Sequence, residues 1–305
     1  DPSDCGPATI AMSQDVQGES FDYPEVFFEE KIHQIRRIYP DPNQIKEAAD
    51  KLKNSKQPII ISGGGVLYSE AEQTLSIFAK KHNIPVTSTV MGIGCMTKDD
   101  PYYISAIGAL GEGSSNNLSK DTDLALAVGT KLADFTTGSW ANFENPNFKL
   151  ISVNTARYDT TKHLATPVIS DAKVGLLQLS EALGDWKAPD TWYQRAIKER
   201  DEWEAYVAKQ SGPTNQEEPS YAHAVGAIYR NSDPSDIVVT AAGGLVGEVV
   251  QVWKPKELNT FETEWGFSCM GYEISGALGI KMAKPDQDVV VFVGDGSYLL
   301  NNSDI

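Results

Sequence analysis

Several runs of this chain are almost wholly apolar: Pro58–Ser62 (PIIIS), Leu124–Val128 (LALAV) and residues 289–293 (VVVFV). A strand with one face in water alternates apolar and polar residues, so runs of this kind belong to strands buried on both faces. Helical segments lie between them. Strands that alternate with helices build a parallel sheet covered on each side by its own crossovers. Shorter runs at 84–89, 149–153, 167–169, 237–240 and 260–262 predict further strands. A helix starts at Asp41-Pro42, with an N-cap aspartate, proline in the first helical position, and Ile45, Ala48, Ala49 and Leu52 on one face. Residues 70–81 and 171–183 predict further helices. The expected fold class is α/β, with a doubly wound parallel-sheet domain over residues 41–185 and part of a second α/β domain over 219–305.

Two stretches fall outside that alternation. Residues 1–40 begin with a short apolar run, 7–12, expected as the last strand of a preceding domain. An aromatic and polar linker follows, with Tyr23-Pro24 and Arg36-Arg37. Residues 186–218 carry Trp192, Ala196, Trp203 and Val207 at helical spacing among Arg195, Glu199 and Glu202. This predicts an amphipathic linker helix, ended by Ser211-Gly212-Pro213. The chain begins at Asp1 without methionine and stops at Ile305 soon after a strand, so both ends are expected to be cut.

Charge disfavours several classes of partner. The formal net charge is −16 and no lysine- or arginine-rich stripe interrupts it, which argues against nucleic acid and against an anionic membrane. An anionic ligand would need backbone N–H groups, a helix N-terminus or a metal ion. Cys5, Cys95 and Cys269 lie far apart with no CxxC pair, which fits reduced thiols in a cytoplasmic protein better than a zinc site. His33, His82, His163 and His223 show no metal or triad spacing, so surface or structural roles are expected of them. No apolar run approaches the length of a membrane span.

Residues 288–297 (DVVVFVGDGS) bring chemistry to a strand end. In open α/β sheets ligands gather at that edge. Gly294 and Gly296 would let the backbone approach a phosphate, and N–H groups near Ser297 could face it. Asp295 offers a hard oxygen ligand for Mg²⁺. Taken alone, the tripeptide fits a plain strand-to-helix turn equally well. Residues 264–279 (EWGFSCMGYEISGALG) contain Gly266, Gly271, Gly276 and Gly279, which are costly in a helix unless something packs closely. Met270, just before the expected helix start, could support a flat ring, although filling a core is the commoner role of an isolated methionine. Residues 240–247 (TAAGGLVG) again set glycines between a strand and a helix. Gly63-Gly64-Gly65 departs from the dinucleotide fingerprint. Tyr68 stands where the third glycine belongs, and Thr87-Ser88-Thr89 provides no acidic residue after the next strand. The loop 108–117, with Gly111 and Gly113, fits a substrate-facing or a plain connection.

The order of these pieces resembles the thiamine-diphosphate enzyme superfamily that includes acetohydroxyacid synthase and pyruvate decarboxylase. Gly6-Pro7-Ala8-Thr9-Ile10 with Gln14-Asp15-Val16 resembles the end of its pyrimidine-binding domain, and residues 41–185 resemble its central domain. Met270-Gly271-Tyr272 and Gly294-Asp295-Gly296-Ser297 resemble the opening half of its diphosphate-binding domain. Within the superfamily the chain is similar to the hydrolases that open trihydroxycyclohexane-1,2-dione in myo-inositol breakdown. Asp22-Tyr23-Pro24, Gly184-Asp185-Trp186-Lys187-Ala188-Pro189 and Ser268-Cys269-Met270-Gly271-Tyr272-Glu273 carry that likeness.

The resemblance implies thiamine diphosphate and Mg²⁺ as cofactors and a small cyclic diketone as substrate. It also implies a homodimer or homotetramer for the full-length protein. Asp295 would bind Mg²⁺, while Gly296 and Ser297 would offer N–H groups to the diphosphate and Gly243, Gly244 and Leu245 would line the same anchor. Met270 would support the bent cofactor, and the Ser268-Cys269-Met270 backbone would hold the aminopyrimidine. The family's second metal ligand, an asparagine, lies a further helix and strand beyond the GDG turn, so Asn301 and Asn302 come too soon for it. The glutamate that activates the aminopyrimidine belongs to the first domain. No catalytic acid or base is therefore assigned here, and these residues alone are expected to be inactive. Other readings are a different thiamine-diphosphate carboligase or decarboxylase, or a non-catalytic nucleotide-binding module built on residues 41–185.

Overall fold

The computed structural model describes residues 9–32 and 34–305. Six strands form the first sheet: β1 (Pro58–Ser62), β2 (Val86–Ser88), β3 (Tyr103–Ala106), β4 (Leu124–Val128), β5 (Lys149–Asn154) and β6 (Thr166–Ile169). Their order is β3-β2-β1-β4-β5-β6 and every neighbouring pair is parallel. The apolar run of β1 has a direct explanation. Ile60 enters one core with Leu52, Phe78, Val86, Leu126 and Ile151, while Ile59 and Ile61 enter another with Ile104, Leu118, Ala125, Leu150 and Trp192. Two cores on opposite faces leave the middle of that strand to apolar residues, and its one polar residue, Ser62 at the end, donates its hydroxyl to the Thr87 carbonyl at 3.3 Å. Each of these isoleucines is worth roughly 1.5–3 kcal/mol when fully buried.

Helix Pro42–Asn54 begins as the sequence predicts, with the Asp41 side chain accepting from the Asn43 amide and Ile45, Ala48, Ala49 and Leu52 buried. Strand β3 has no counterpart in the sequence reading. It is only four residues long and carries Ser105, which is buried against the hydroxyls of Ser114 and Ser115 at 2.7 and 2.6 Å. The glycines 63–65, which in sequence predict a turn after β1, run into a short helix, Gly64–Tyr68. The strand expected at 7–12 is not found over residues 9–12. Ile10 and Met12 are exposed and pair with no strand among the described residues, and without a neighbouring edge the amides of this run are left to water. Residues 7 and 8, Cys5, Gly6 and His33 lie outside the described residues. The linker meets the first sheet at Arg37, whose Nη1 is 2.8 Å from the Asp171 carboxylate.

Helix Asp190–Gln210 is packed rather than free-standing. Trp192 donates from Nε1 to the Pro58 carbonyl at 2.8 Å, and Ala196 is fully buried. A second sheet follows, made of β7 (Ile237–Thr240), β8 (Phe261–Thr263) and β9 (Val289–Val291) in the parallel order β8-β7-β9. Its core of Val225, Val238, Val246, Val249, Trp253 and Phe292 also takes in Val90 and Ile93 from the connection after β2 and Ala106 from the end of β3. A buried ion pair crosses the same seam, with Lys254 Nζ 2.5 Å from Glu112 Oε1. Burial pushes the Glu112 carboxyl above the ordinary carboxylate range, and the Lys254 ammonium pulls the other way.

His82 closes helix Glu72–His82 and is fully buried, with Nδ1 2.8 Å from the Trp186 carbonyl and Nε2 3.0 Å from Ser180 Oγ. Burial holds its pKa below the ordinary value, assisted by Lys81 and Lys187 and opposed by the bond to Trp186. The unfolded chain therefore takes up a proton, at about pH 6.5 and below, that the folded chain resists. The contribution of this group is complete above that pH and is lost on acidification. Thermal melts between pH 7.5 and 5.5 should show the melting temperature falling with pH, and falling less in His82→Gln. Equal slopes in the two proteins would clear His82 of this role.

Candidate functional site

Because β7, β8 and β9 are parallel, their carboxyl ends lie along one edge, and the loops 241–244, 264–271 and 292–294 emerge there. The chain leaves β7 for β8 on one side and then crosses to β9 on the other. Such a reversal opens a crevice at the carboxyl edge, the usual ligand site of open α/β sheets. All nine residues singled out in the sequence fall on these three connections. Gly243, Gly244 and Leu245 follow β7, Ser268, Cys269 and Met270 follow β8, and Asp295, Gly296 and Ser297 follow β9.

The loops after β8 and β9 touch. A Cβ added to Gly296 would lie 3.0 Å from Met270 Cε, and the rest of the Met270 side chain is half exposed. Around them there is room, since a Cβ added at Gly243, Gly244 or Gly294 would meet no atom within 4 Å. Gly243 has φ +81, a conformation that glycine adopts without strain. Among the described residues the amides of Gly243, Gly244, Leu245, Asp295 and Ser297 have no protein acceptor, which leaves them available to an anion. Asp295 is exposed, and its Oδ1 accepts from the Gly296 amide at 2.9 Å. No three His, Cys, Asp or Glu side chains among the described residues cluster as a metal site. A cation at Asp295 would thus draw its other oxygens from backbone, water or a ligand, as Mg²⁺ commonly does beside phosphates.

The loop after β8 is shaped by Glu264, which accepts from the amides of Phe267 at 2.9 Å and Cys269 at 2.6 Å. Partial burial raises its pKa, but these bonds outweigh that and hold the carboxyl below its ordinary value. The exposed Cys269 thiol is pushed up by desolvation and by the Glu264 carboxylate, which makes it a poor nucleophile. Tyr272 donates to Glu262 at 3.3 Å, and burial with that neighbour moves the phenol up to about 12.

Two residues of the site are given no role in it by the sequence reading. Glu273 is fully buried, and its carboxylate accepts from the Ala242 amide at 3.1 Å and the Gly271 amide at 3.0 Å. Asn301 donates to the Gly271 carbonyl at 3.0 Å, which engages its side chain within the protein. The available signal for Glu273 is a single carboxylate in a run of small and apolar residues directly after a helix-capping glycine.

The other glycine-rich segments have different work. Gly63 and Gly65 close on Gly129: the Gly65 amide donates to the Gly129 carbonyl at 2.9 Å, and a Cβ on Gly63 would lie 2.4 Å from that oxygen. Backbone fills the reversal point between β1 and β4, where a nucleotide phosphate would have to sit. The loop 108–117 carries Glu112 to its pairing with Lys254 at the seam between the sheets. A cleft of about 600 Å³ lined by Gln57, Asp121, Glu144 and Arg195 lies at the amino ends of β1 and β4, opposite to where ligands of such sheets collect.

Glycine-bearing loops converging at the carboxyl edge of a small parallel sheet, beside a doubly wound six-stranded sheet, define an α/β chain built to hold a phosphate-bearing cofactor. Residues 45–179 match the family described as thiamine pyrophosphate enzyme, central domain, and residues 241–305 match thiamine pyrophosphate enzyme, C-terminal TPP binding domain. The chain belongs to the thiamine pyrophosphate enzyme family. It is 35% identical to the 3D-(3,5/4)-trihydroxycyclohexane-1,2-dione hydrolase of Geobacillus thermodenitrificans over 328 aligned positions, covering 100% of this chain and 50% of the relative. The hydrolase of the same name from Clostridium tetani is 37% identical over 329 positions, covering 100% of this chain and 51% of the relative. The chain spans about half the length of the curated relatives it matches.

Gly271 offers a test of the loop geometry. Its φ is +94, and an added Cβ would lie 2.8 Å from Asn301 Nδ2, whereas a Cβ on Gly279 of the following helix would meet nothing within 4 Å. Gly271→Ala should cost about 1–3 kcal/mol in urea unfolding, and Gly279→Ala should be neutral or stabilising. Equal stabilities of the two variants would contradict the described loop.

Proposed function

We propose that this chain is the central and cofactor-anchoring part of a hydrolase that opens 3D-(3,5/4)-trihydroxycyclohexane-1,2-dione by C–C cleavage, yielding 5-deoxy-glucuronate in myo-inositol breakdown. Support for the substrate comes from the relatives of that name, which align with the whole chain. Support for the cofactor comes from one observation above the others, the convergence of three glycine-bearing loops on open space beside Met270. On this reading residues 1–40 are the end of a pyrimidine-binding domain and a linker, 41–185 the central domain, 186–218 the linker helix and 219–305 the diphosphate-binding part.

The residues divide the work of binding. Backbone N–H groups of Gly243, Gly244, Leu245 and Ser297 face the diphosphate, Gly296 joins them when Asp295 releases its amide, and Asp295 ligates the Mg²⁺ that offsets the diphosphate charge. That division suits a chain of net charge −16, in which side-chain cations are scarce. Met270 gives apolar support to the cofactor rings, and the backbone of Ser268 and Met270, flanking Cys269, orients the aminopyrimidine. Thiamine diphosphate, when bound, supplies an electron sink for cleavage beside a carbonyl. No catalytic acid or base is assigned among these residues, so on this reading they are inactive by themselves. The full-length enzyme is a cytoplasmic homodimer or homotetramer that acts on a small molecule and binds neither nucleic acid nor membrane. No helix among the described residues is long and apolar enough to cross a membrane.

The test uses the full-length protein with thiamine diphosphate and Mg²⁺. It should convert the cyclic diketone to a deoxy sugar acid, and Asp295→Asn should raise the half-saturating Mg²⁺ concentration at least tenfold, on the order of 1.4 kcal/mol. Cofactor binding without ring opening, together with turnover of a 2-keto acid, would replace the hydrolase reading with that of a carboligase or decarboxylase.

A further inference from the structure

We infer that Glu273 is a positioning residue for the cofactor anchor, holding the loops after β7 and β8 in one register through a single buried carboxylate, with Asn301 tying in the segment after β9. The inference rests on the cofactor reading above. A fully buried carboxylate is costly unless its oxygens are satisfied, and the partners of Glu273 are backbone amides rather than a cation. Oε1 accepts from Ala242 at 3.1 Å and Oε2 from Gly271 at 3.0 Å. Ala242 directly precedes Gly243, and Gly271 directly follows Met270. Gly271 also accepts from Asn301 Nδ2 at 3.0 Å through its carbonyl. One continuous set of hydrogen bonds, Ala242 to Glu273 to Gly271 to Asn301, thus joins the loops after β7 and β8 to the end of helix Asp295–Asn301, which follows β9.

An ordinary helix cap does not account for this. A glutamate in the first turn often accepts from the N-cap amide, as Oε2 does here. The second oxygen, however, reaches a loop 31 residues earlier in the chain. Glutamine could not replace both bonds, because its NH₂ group would face an N–H donor. Nor does the charge attract the ligand, since a carboxylate repels a diphosphate. Its contribution is geometric: donors set in advance need not be ordered when the anion arrives.

Calorimetry of the full-length protein with thiamine diphosphate at saturating Mg²⁺ tests the role, comparing wild type, Glu273→Gln and the control Val225→Ala. Val225 is fully buried in helix Tyr221–Asn231 and belongs to no loop of the site. In the expected result Glu273→Gln raises Kd at least tenfold while remaining folded at the assay temperature. Val225→Ala lowers the melting temperature but keeps Kd within twofold of wild type. Should Glu273→Gln not fold, amide hydrogen exchange of the wild-type protein decides. The Ala242 and Gly271 amides should be at least 100-fold more protected than that of Gly244, which has no acceptor among the described residues. A Kd for Glu273→Gln within twofold of wild type, or exchange at Ala242 and Gly271 as fast as at Gly244, overturns the inference. A wild-type protein that binds no thiamine diphosphate overturns the cofactor reading, and the inference with it.

Discussion

Parallel pairing of β7 with both β8 and β9 sets the direction of every connection in the second sheet, and with it the place where the chain can do chemistry. Each strand must be followed by a crossover, so each carboxyl end releases a loop at the same edge. The crossovers bury β7 on both faces, which is why Ile237–Thr240 is apolar up to its last residue. The loops, by contrast, are rich in glycine and largely exposed. Fold and site therefore follow from one constraint: the central strand β7 is spent on the core, and a ligand is left to the turns, with their backbone and the side chains of Asp295 and Met270.

The two sheets are not independent. Val90, Ile93 and Ala106, which follow or end strands of the first sheet, lie in the core of the second, and Glu112 pairs with Lys254 across the same boundary. A buried pair of this kind is weak evidence for stability, because desolvation offsets its attraction. It does penalise any arrangement that separates the partners and leaves Glu112 alone in an apolar seam. The second sheet is thereby packed directly against the first.

Much of this was legible in the chain. Runs such as Pro58–Ser62 and Leu124–Val128 announce strands because burial on two faces permits only apolar residues, and Asp41-Pro42 announces a helix through its capping chemistry. Strand β3 was not legible, because Ser105 is satisfied by hydroxyls that come close only in the folded state. The glycine segments show the same limit in the site. Gly63-Gly64-Gly65 and Gly243-Gly244 look alike in sequence, yet the first closes on the Gly129 backbone and the second borders open space. Glycine marks close approach without saying to what. Glu273 was hidden for the complementary reason: its partners are backbone amides, which have no letter in the sequence.

The account stands on the claim that the three loops at the carboxyl edge of the second sheet form one anchor for a diphosphate and its metal ion. A crystal structure of the full-length protein with thiamine diphosphate and Mg²⁺ tests that claim most directly. The account predicts the diphosphate within hydrogen-bonding distance of the Gly244 and Ser297 amides, Mg²⁺ on the Asp295 carboxylate, and Met270 against the cofactor rings. A diphosphate bound at Gly63–Gly65 or elsewhere on the first sheet, with Asp295 free of metal, would contradict it.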